Sequence, residues 1–117
     1  MLKPWLQVLI YEPARKEILN WPLEAKKDLG SILTKLQKGD EVGFPDTESF
    51  GTVAPGVFEV RVKEASGIFR TFCLVKRERG ILVFHAFKKK TQKTPKQEIE
   101  TARKRLNQFL KELEDEG

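Results

Sequence analysis

Two hydrophobic periods divide this chain. Between Val57 and Lys93 three runs rich in Val, Ile, Phe and Thr are separated by Lys63-Glu64-Ala65-Ser66-Gly67 and Arg77-Glu78-Arg79-Gly80, short polar spacers that each contain a glycine. That pattern predicts an antiparallel three-strand meander. The first run alternates, with Phe58, Val60 and Val62 on one face and Glu59, Arg61 and Lys63 on the other, so one side packs and the other meets solvent or a ligand. The second, Ile68 to Val75, is apolar on both faces apart from Arg70 and Thr71 and reads as the central strand. The third, Ile81 to Phe87, carries the single histidine, His85, and runs straight into Lys88, Lys89, Lys90 and Lys93.

The flanks follow other rules. Trp5 to Tyr11 places Leu6, Val8 and Ile10 on one side and is stopped by Glu12-Pro13, which predicts a first strand. Pro13 to Trp21 predicts a short helix broken at Asn20-Trp21-Pro22. A second helix then carries Ala25, Leu29, Ile32, Leu33 and Leu36 at three- and four-residue steps and ends at Gly39 as a left-handed stop. The two helices are expected to form a hairpin against the sheet, packed by Trp5 and Trp21, with a tryptophan left exposed as the base-stacking alternative. Residues 39–56 lack periodicity and are dense in turn residues, a connecting loop expected to give Phe44 and Phe50 to the core. Thr94-Pro95-Lys96-Gln97 predicts an N-cap threonine with a capping-box glutamine, opening a helix whose stripe is Ile99, Ala102, Leu106, Phe109, Leu110 and Leu113. The whole is a single α+β domain over residues 1–117, in the order β-α-α-β-β-β-α.

Charge changes the picture because it is unevenly spread. Basic and acidic residues number seven and eight in residues 1–56, eleven and three in 57–96, and four and six in 97–117, giving −1, +8 and −2. The meander and the segment after it therefore carry the electrostatic footprint of a polyanionic partner, and nucleic acid ranks above membrane because no basic amphipathic helix or lipidation signal accompanies the patch. One cysteine, Cys73, excludes an intrachain disulfide and a zinc-type Cys/His set. The expectation is a chain of the reducing cytoplasm, without a signal peptide or a membrane span.

The element order, together with Gly56-Val57-Phe58-Glu59-Val60-Arg61, Gly67-Ile68-Phe69-Arg70 and the run from His85 through Lys88-Lys89-Lys90-Thr91-Gln92-Lys93 to Pro95, resembles the RelE/ParE superfamily of toxins from type II toxin-antitoxin modules, nearest its HigB-like, phage-derived branch. The resemblance spans nearly the whole chain, and the last run is its most specific part. It implies a microbial RNase-like fold, an antiparallel sheet with an N-terminal helical hairpin and a C-terminal helix. It further implies an endoribonuclease that cleaves mRNA on the ribosome without metal or cofactor, the ribose 2′-OH attacking the adjacent phosphate to leave a cyclic phosphate and a free 5′-OH. The implied partners are mRNA, the ribosome and a cognate antitoxin with a helix-turn-helix fold, the toxin being a monomer or part of a toxin-antitoxin hetero-oligomer.

By position, Arg61 falls where RelE-type toxins place a strand lysine, Arg70 on their arginine after the Gly-aromatic turn, and Lys89 or Lys90 near the arginine after the last strand. Arg61, Arg70, His85 and Lys90 are the catalytic candidates, with Lys63, Lys88, Lys89 and Lys93 as RNA-binding cations. His85 enters because its ordinary pKa lies nearest neutrality, beside the commoner role of a satisfied strand histidine. Two departures from the pattern stand out: Tyr11 is the single tyrosine, where RelE-type enzymes end on a catalytic one, and Glu59 occupies a position that is basic in RelE. A salt bridge from Arg70 to Glu59 is the structural alternative to a phosphate contact. At the level of function, a ParE-like, non-catalytic inhibitor of DNA gyrase and a nucleic-acid-binding accessory protein of a phage or mobile element stay open.

Overall fold

The computed structural model describes residues 5–89 and 93–116. Its elements are β1 (Val8–Ile10), α1 (Glu12–Leu19), α2 (Leu23–Lys38), β2 (Thr47–Ser49), β3 (Phe58–Glu64), β4 (Gly67–Lys76), β5 (Gly80–Lys89) and α3 (Lys96–Asp115). The five strands form one sheet in the order β1-β5-β4-β3-β2. The meander is antiparallel as its spacers require, with β4 central between β3 and β5. Two features refine the expected sheet. β1 joins parallel to β5, Val8 opposite Ile81, so the sheet is mixed. Within the 39–56 segment, Thr47–Ser49 pairs antiparallel with β3 as an edge strand too short to show a period of its own.

Because β1 and β2 lie on opposite edges, the helical hairpin between them must cross the whole sheet. α1 and α2 bury Ala14, Ala25, Leu29, Ile32 and Leu33, with Trp21, against Val60, Val62, Phe69, Cys73, Ile81 and Val83. α3 packs on the other face, where Ala102, Leu106, Phe109 and Leu113 meet Phe72, Leu82, Phe84 and Phe87. Each helical stripe thus matches one set of alternating strand positions. Two glycines are required by geometry. Gly39 ends α2 at φ 88°, its N–H and that of Asp40 returning to Leu36 and Lys35 carbonyls. Gly80, at φ 123°, lies where a Cβ would stand 2.2 Å from the Gln7 carbonyl oxygen, so a side chain there would push β1 off the sheet.

Four expectations need correcting. Phe44 is 76% exposed and gives nothing to the core, because its loop is tied to the rim of the sheet; Phe50 does pack inward, 5.0 Å from Phe72. Trp5 is also exposed, lying over the Lys38 ammonium, while Trp21 is buried against Phe69. β1 uses both faces, Val8 toward the hairpin and Leu9 toward α3, and Ile10 stays half outside. α3 begins at Lys96 with Pro95 at its cap and no capping side chain, since the Thr94 hydroxyl accepts instead from Lys89 Nζ at 3.2 Å.

Candidate functional site

On the α3 side of the sheet, cross-strand register lays side chains in rows. Arg61 of β3 faces Arg70 of β4, which faces Phe87 of β5. One row away run Lys63, Ile68 and Lys89, and on the other side Glu48, Glu59, Phe72 and His85. Two arginines directly opposite each other repel, so this register demands a counter-charge. Glu59 supplies it from the neighbouring row. Its Oε1 accepts from Arg70 Nη1 at 2.5 Å and from Arg61 Nε at 3.0 Å. Arg61 makes a further ion pair through Nη2 with Glu48 of β2. The short edge strand that the sequence pattern did not reveal therefore carries the second carboxylate of the cluster.

Burial sets the electrostatics. Glu59 is fully buried, Arg70 is 2% exposed, and Lys89 lies at 7%. Desolvation raises the Glu59 carboxyl above its ordinary value, opposed by the charge and hydrogen bond of Arg70 and by the charge of Lys89. Glu59 Oε2 has no hydrogen-bond partner among the described residues. Lys89 is pushed down to about 8, first by burial and then by Arg70 and Arg61, with Glu59 pulling the other way. Burial and Arg70 also lower Arg61. Arg61 and Arg70 thus meet Glu59 and Glu48, and the lysine beside them is held well below the ordinary ammonium range. Such a group exchanges a proton readily at physiological pH.

The other candidates are placed as follows. Lys63 shares the Arg61 face of β3 and is exposed. Lys88, one residue from Lys89, points to the opposite face, its ammonium 5.4 Å from the Phe69 ring centroid. Lys93 is exposed. Lys90 lies outside the described residues. Arg70, expected to face a phosphate, takes the structural alternative and binds Glu59.

His85 belongs to a different assembly. Arg105 of α3 donates from Nη1 to His85 Nδ1 at 2.9 Å. A guanidinium has only donors, so Nδ1 is the acceptor and the imidazole proton sits on Nε2, donated to Glu98 Oε1 at 2.8 Å. Both ring nitrogens are thus engaged by α3, and Phe72 stands between His85 and Glu59 in their shared row. Burial holds the imidazole below its ordinary pKa, as does Arg105, while Glu98 and, from α1, Glu17 oppose them. The structure brings Arg61, Arg70 and Lys89 together and leaves His85 with α3. Glu59 was legible as a partner for Arg70 but not as the shared partner of Arg61, and the helix partners Glu98 and Arg105 were missed. The signal for Glu59 was an acidic residue two positions from Arg61 on a strand beside the one bearing Arg70.

Among the described residues no group of three His, Cys, Asp or Glu side chains is placed to hold a metal ion, and no described helix is long and apolar enough to cross a membrane.

Comparison with known proteins agrees with this architecture. The family model described as Phage derived protein Gp49-like matches residues 16–107, from inside α1 to inside α3. No curated protein matches the chain. Among solved structures, a double mutant of the E. coli toxin RelE in the free state is similar with a TM-score of 0.55 and 14% identity, over 72% of this chain and 82% of that one. The matched region contains Arg61, Arg70, Lys89 and Glu59, so the cluster sits inside the family's common body. This chain belongs to the Phage derived protein Gp49-like family and has the RelE fold.

Proposed function

We propose that this chain is the toxin of a type II toxin-antitoxin module, an mRNA endoribonuclease acting on ribosome-bound message in the cytoplasm. The observation that carries the reading is that Arg61 and Arg70, from two strands, both bind the buried Glu59 carboxylate while Lys89 of a third lies near enough to feel their charges, all within the segment holding the excess positive charge. In-line attack of a ribose 2′-OH forms the P–O2′ bond and breaks the P–O5′ bond. Charge grows on the phosphorane oxygens, and the 5′ oxygen leaves needing a proton. Arg61, the guanidinium nearest solvent in the cluster, stabilises the phosphorane. Lys89, an ammonium with a depressed pKa, protonates the 5′ oxygen, and the 2′-OH proton passes to solvent. Arg70 acts as a positioning residue, fixing Glu59 and through it the Arg61 side chain. Lys63, Lys93 and the sequence-assigned Lys90 hold flanking phosphates, with Lys88 reaching RNA that wraps to the other face. The chain's own cations take the charge, so the reading calls on no metal. His85 is set aside as the proton-transfer group because α3 occupies both its ring nitrogens. A cognate antitoxin neutralises the activity.

The test is induced expression in a bacterial host of wild type, Arg61→Ala and Lys89→Met, following growth and mapping transcript 5′ ends. These variants are chosen over Arg70→Ala, which strands Glu59 in the interior. Growth arrest with new internal 5′ ends in translated messages, absent in both variants, is the expected result. Arrest with intact messages overturns it in favour of gyrase inhibition, and no effect on growth overturns the toxin assignment itself.

A further inference from the structure

Beside the cluster, α2, β3 and the loop before β2 enclose an open cleft of about 550 Å³. Its walls include Asp28 and Lys35 of α2, Phe44 and Asp46 of the loop, and Arg61 and Lys63 of β3. Phe44 is an unusual wall: its ring is 76% exposed, yet its loop is firmly tied. The Arg61 N–H donates to the Asp46 carbonyl at 2.8 Å, Thr47 N–H to Gly43 at 3.0 Å, and Thr47 Oγ1 to Val42 at 2.7 Å. One side of the ring is taken by the Arg61 guanidinium, 5.7 Å from the centroid. The ring is therefore held in place by its loop and its cation, with most of its surface open to solvent.

We infer that the Phe44 cleft is a base-stacking subsite for one unstacked nucleotide of single-stranded RNA, the base extending the Arg61–Phe44 stack and its phosphate lying between Lys63 and Lys35. The inference rests on the endoribonuclease reading, and it names what holds the RNA next to Arg61. Aromatic faces take any base, and single-stranded RNA is recognised by such stacking combined with flanking cations. The cleft has both: a planar ring presented to solvent, and the Lys35 and Lys63 ammonium groups for the backbone, sharing the walls with the Asp28 and Asp46 carboxylates. Of the two clefts described, the second, about 340 Å³ over His85, Glu98 and Arg105, has no comparable ring presented to solvent, and these three side chains are bonded to one another.

The probe is a 2′-O-methyl oligoribonucleotide, which cannot be cleaved, carrying 2-aminopurine at successive positions and titrated with purified protein. Wild type is expected to quench one position. Phe44→Ala and Phe44→Leu lose that quenching and bind about 10-fold more weakly, in keeping with the 1–3 kcal/mol attributed to one stacked base. Phe44→Trp retains both. All three variants should melt with wild type, since the ring is exposed. Equal binding and quenching by wild type and Phe44→Ala overturns the subsite. If wild type binds no oligoribonucleotide yet still produces internal 5′ ends in translated messages, the stacking inference falls while the endoribonuclease reading stands; absence of both results sinks the two together.

Discussion

The α3 face of the sheet carries two polar assemblies, one built around Glu59 and one around His85, and they solve the problem of buried charge differently. At His85, Glu98 and Arg105 cancel each other and a neutral imidazole links them, so the assembly is balanced and acts as a latch between β5 and α3. At Glu59, two arginines bind a buried carboxylate, Glu48 pairs with Arg61 at the rim, Lys89 lies near enough to feel their charges, and Arg61 also lines the cleft beside Phe44. The Glu59 cluster reaches a cleft through Arg61 and is the one proposed to meet an anion, whereas the His85 assembly ties β5 to α3.

The strongest way to break this contrast is Glu59→Ala. It leaves Arg70, 2% exposed, without its carboxylate and should cost about 3–5 kcal/mol, read as a lowered denaturation midpoint at unchanged slope. A loss below about 1 kcal/mol would mean that the guanidinium relaxes to solvent and that Glu59 is not the keystone.

Next in size is the split between activity and stability. Lys89→Met should lower RNA cleavage by about 100-fold or more, the usual worth of a general acid, with folding intact. His85→Ala should do the reverse. It unlinks α3 at a cost of about 1–3 kcal/mol, through the buried polar groups it strands, while the cleavage rate per folded molecule stays near wild type. A His85 variant that folds normally and does not cleave would move the proton-transfer role back to the histidine.

The smallest effects are in pH, and the two assemblies should respond in separate windows. His85 has a depressed pKa in the folded chain, set by burial and by Arg105 against Glu98 and Glu17. The unfolded chain therefore takes up more protons there, and stability falls as pH drops through and below the ordinary histidine range. His85→Ala should flatten that acid limb. Lys89 is also depressed, to about 8 from 10.5, so between those values the unfolded chain again holds more protons and stability rises with pH. Lys89→Met should accordingly melt higher than wild type at pH 7, and the gap should close as pH approaches 10.5. Thermal melts across pH 5 to 10.5 separate the two limbs.

Sequence pattern gave away what regular periods encode. The meander, the α2 stripe ending at Gly39, the α3 stripe and the basic segment all follow from spacing, and the resemblance to RelE-type toxins led to the right fold. What spacing does not carry is pairing between distant elements. β2 is three residues long and defined by its partner β3, so nothing local announces it. Thr94 reads as a cap until Lys89, five residues earlier in the chain, is seen to take its hydroxyl. Phe44 reads as core because hydrophobicity says nothing of which side of a tied loop faces out. Arg61, Arg70 and Lys89 were each legible as candidates. That one carboxylate organises them depends on a register that only three paired strands define.

That dependence has a consequence in time. The three cations come from three successive strands, and β5, which completes the set, is also the strand on which β1 docks past Gly80. A chain emerging from the ribosome must hold its first strand and helical hairpin without a sheet until that last strand arrives, an interval of a few seconds at roughly 5–20 residues per second. The nascent protein therefore carries no assembled cluster until β5 has been made and has paired with β4.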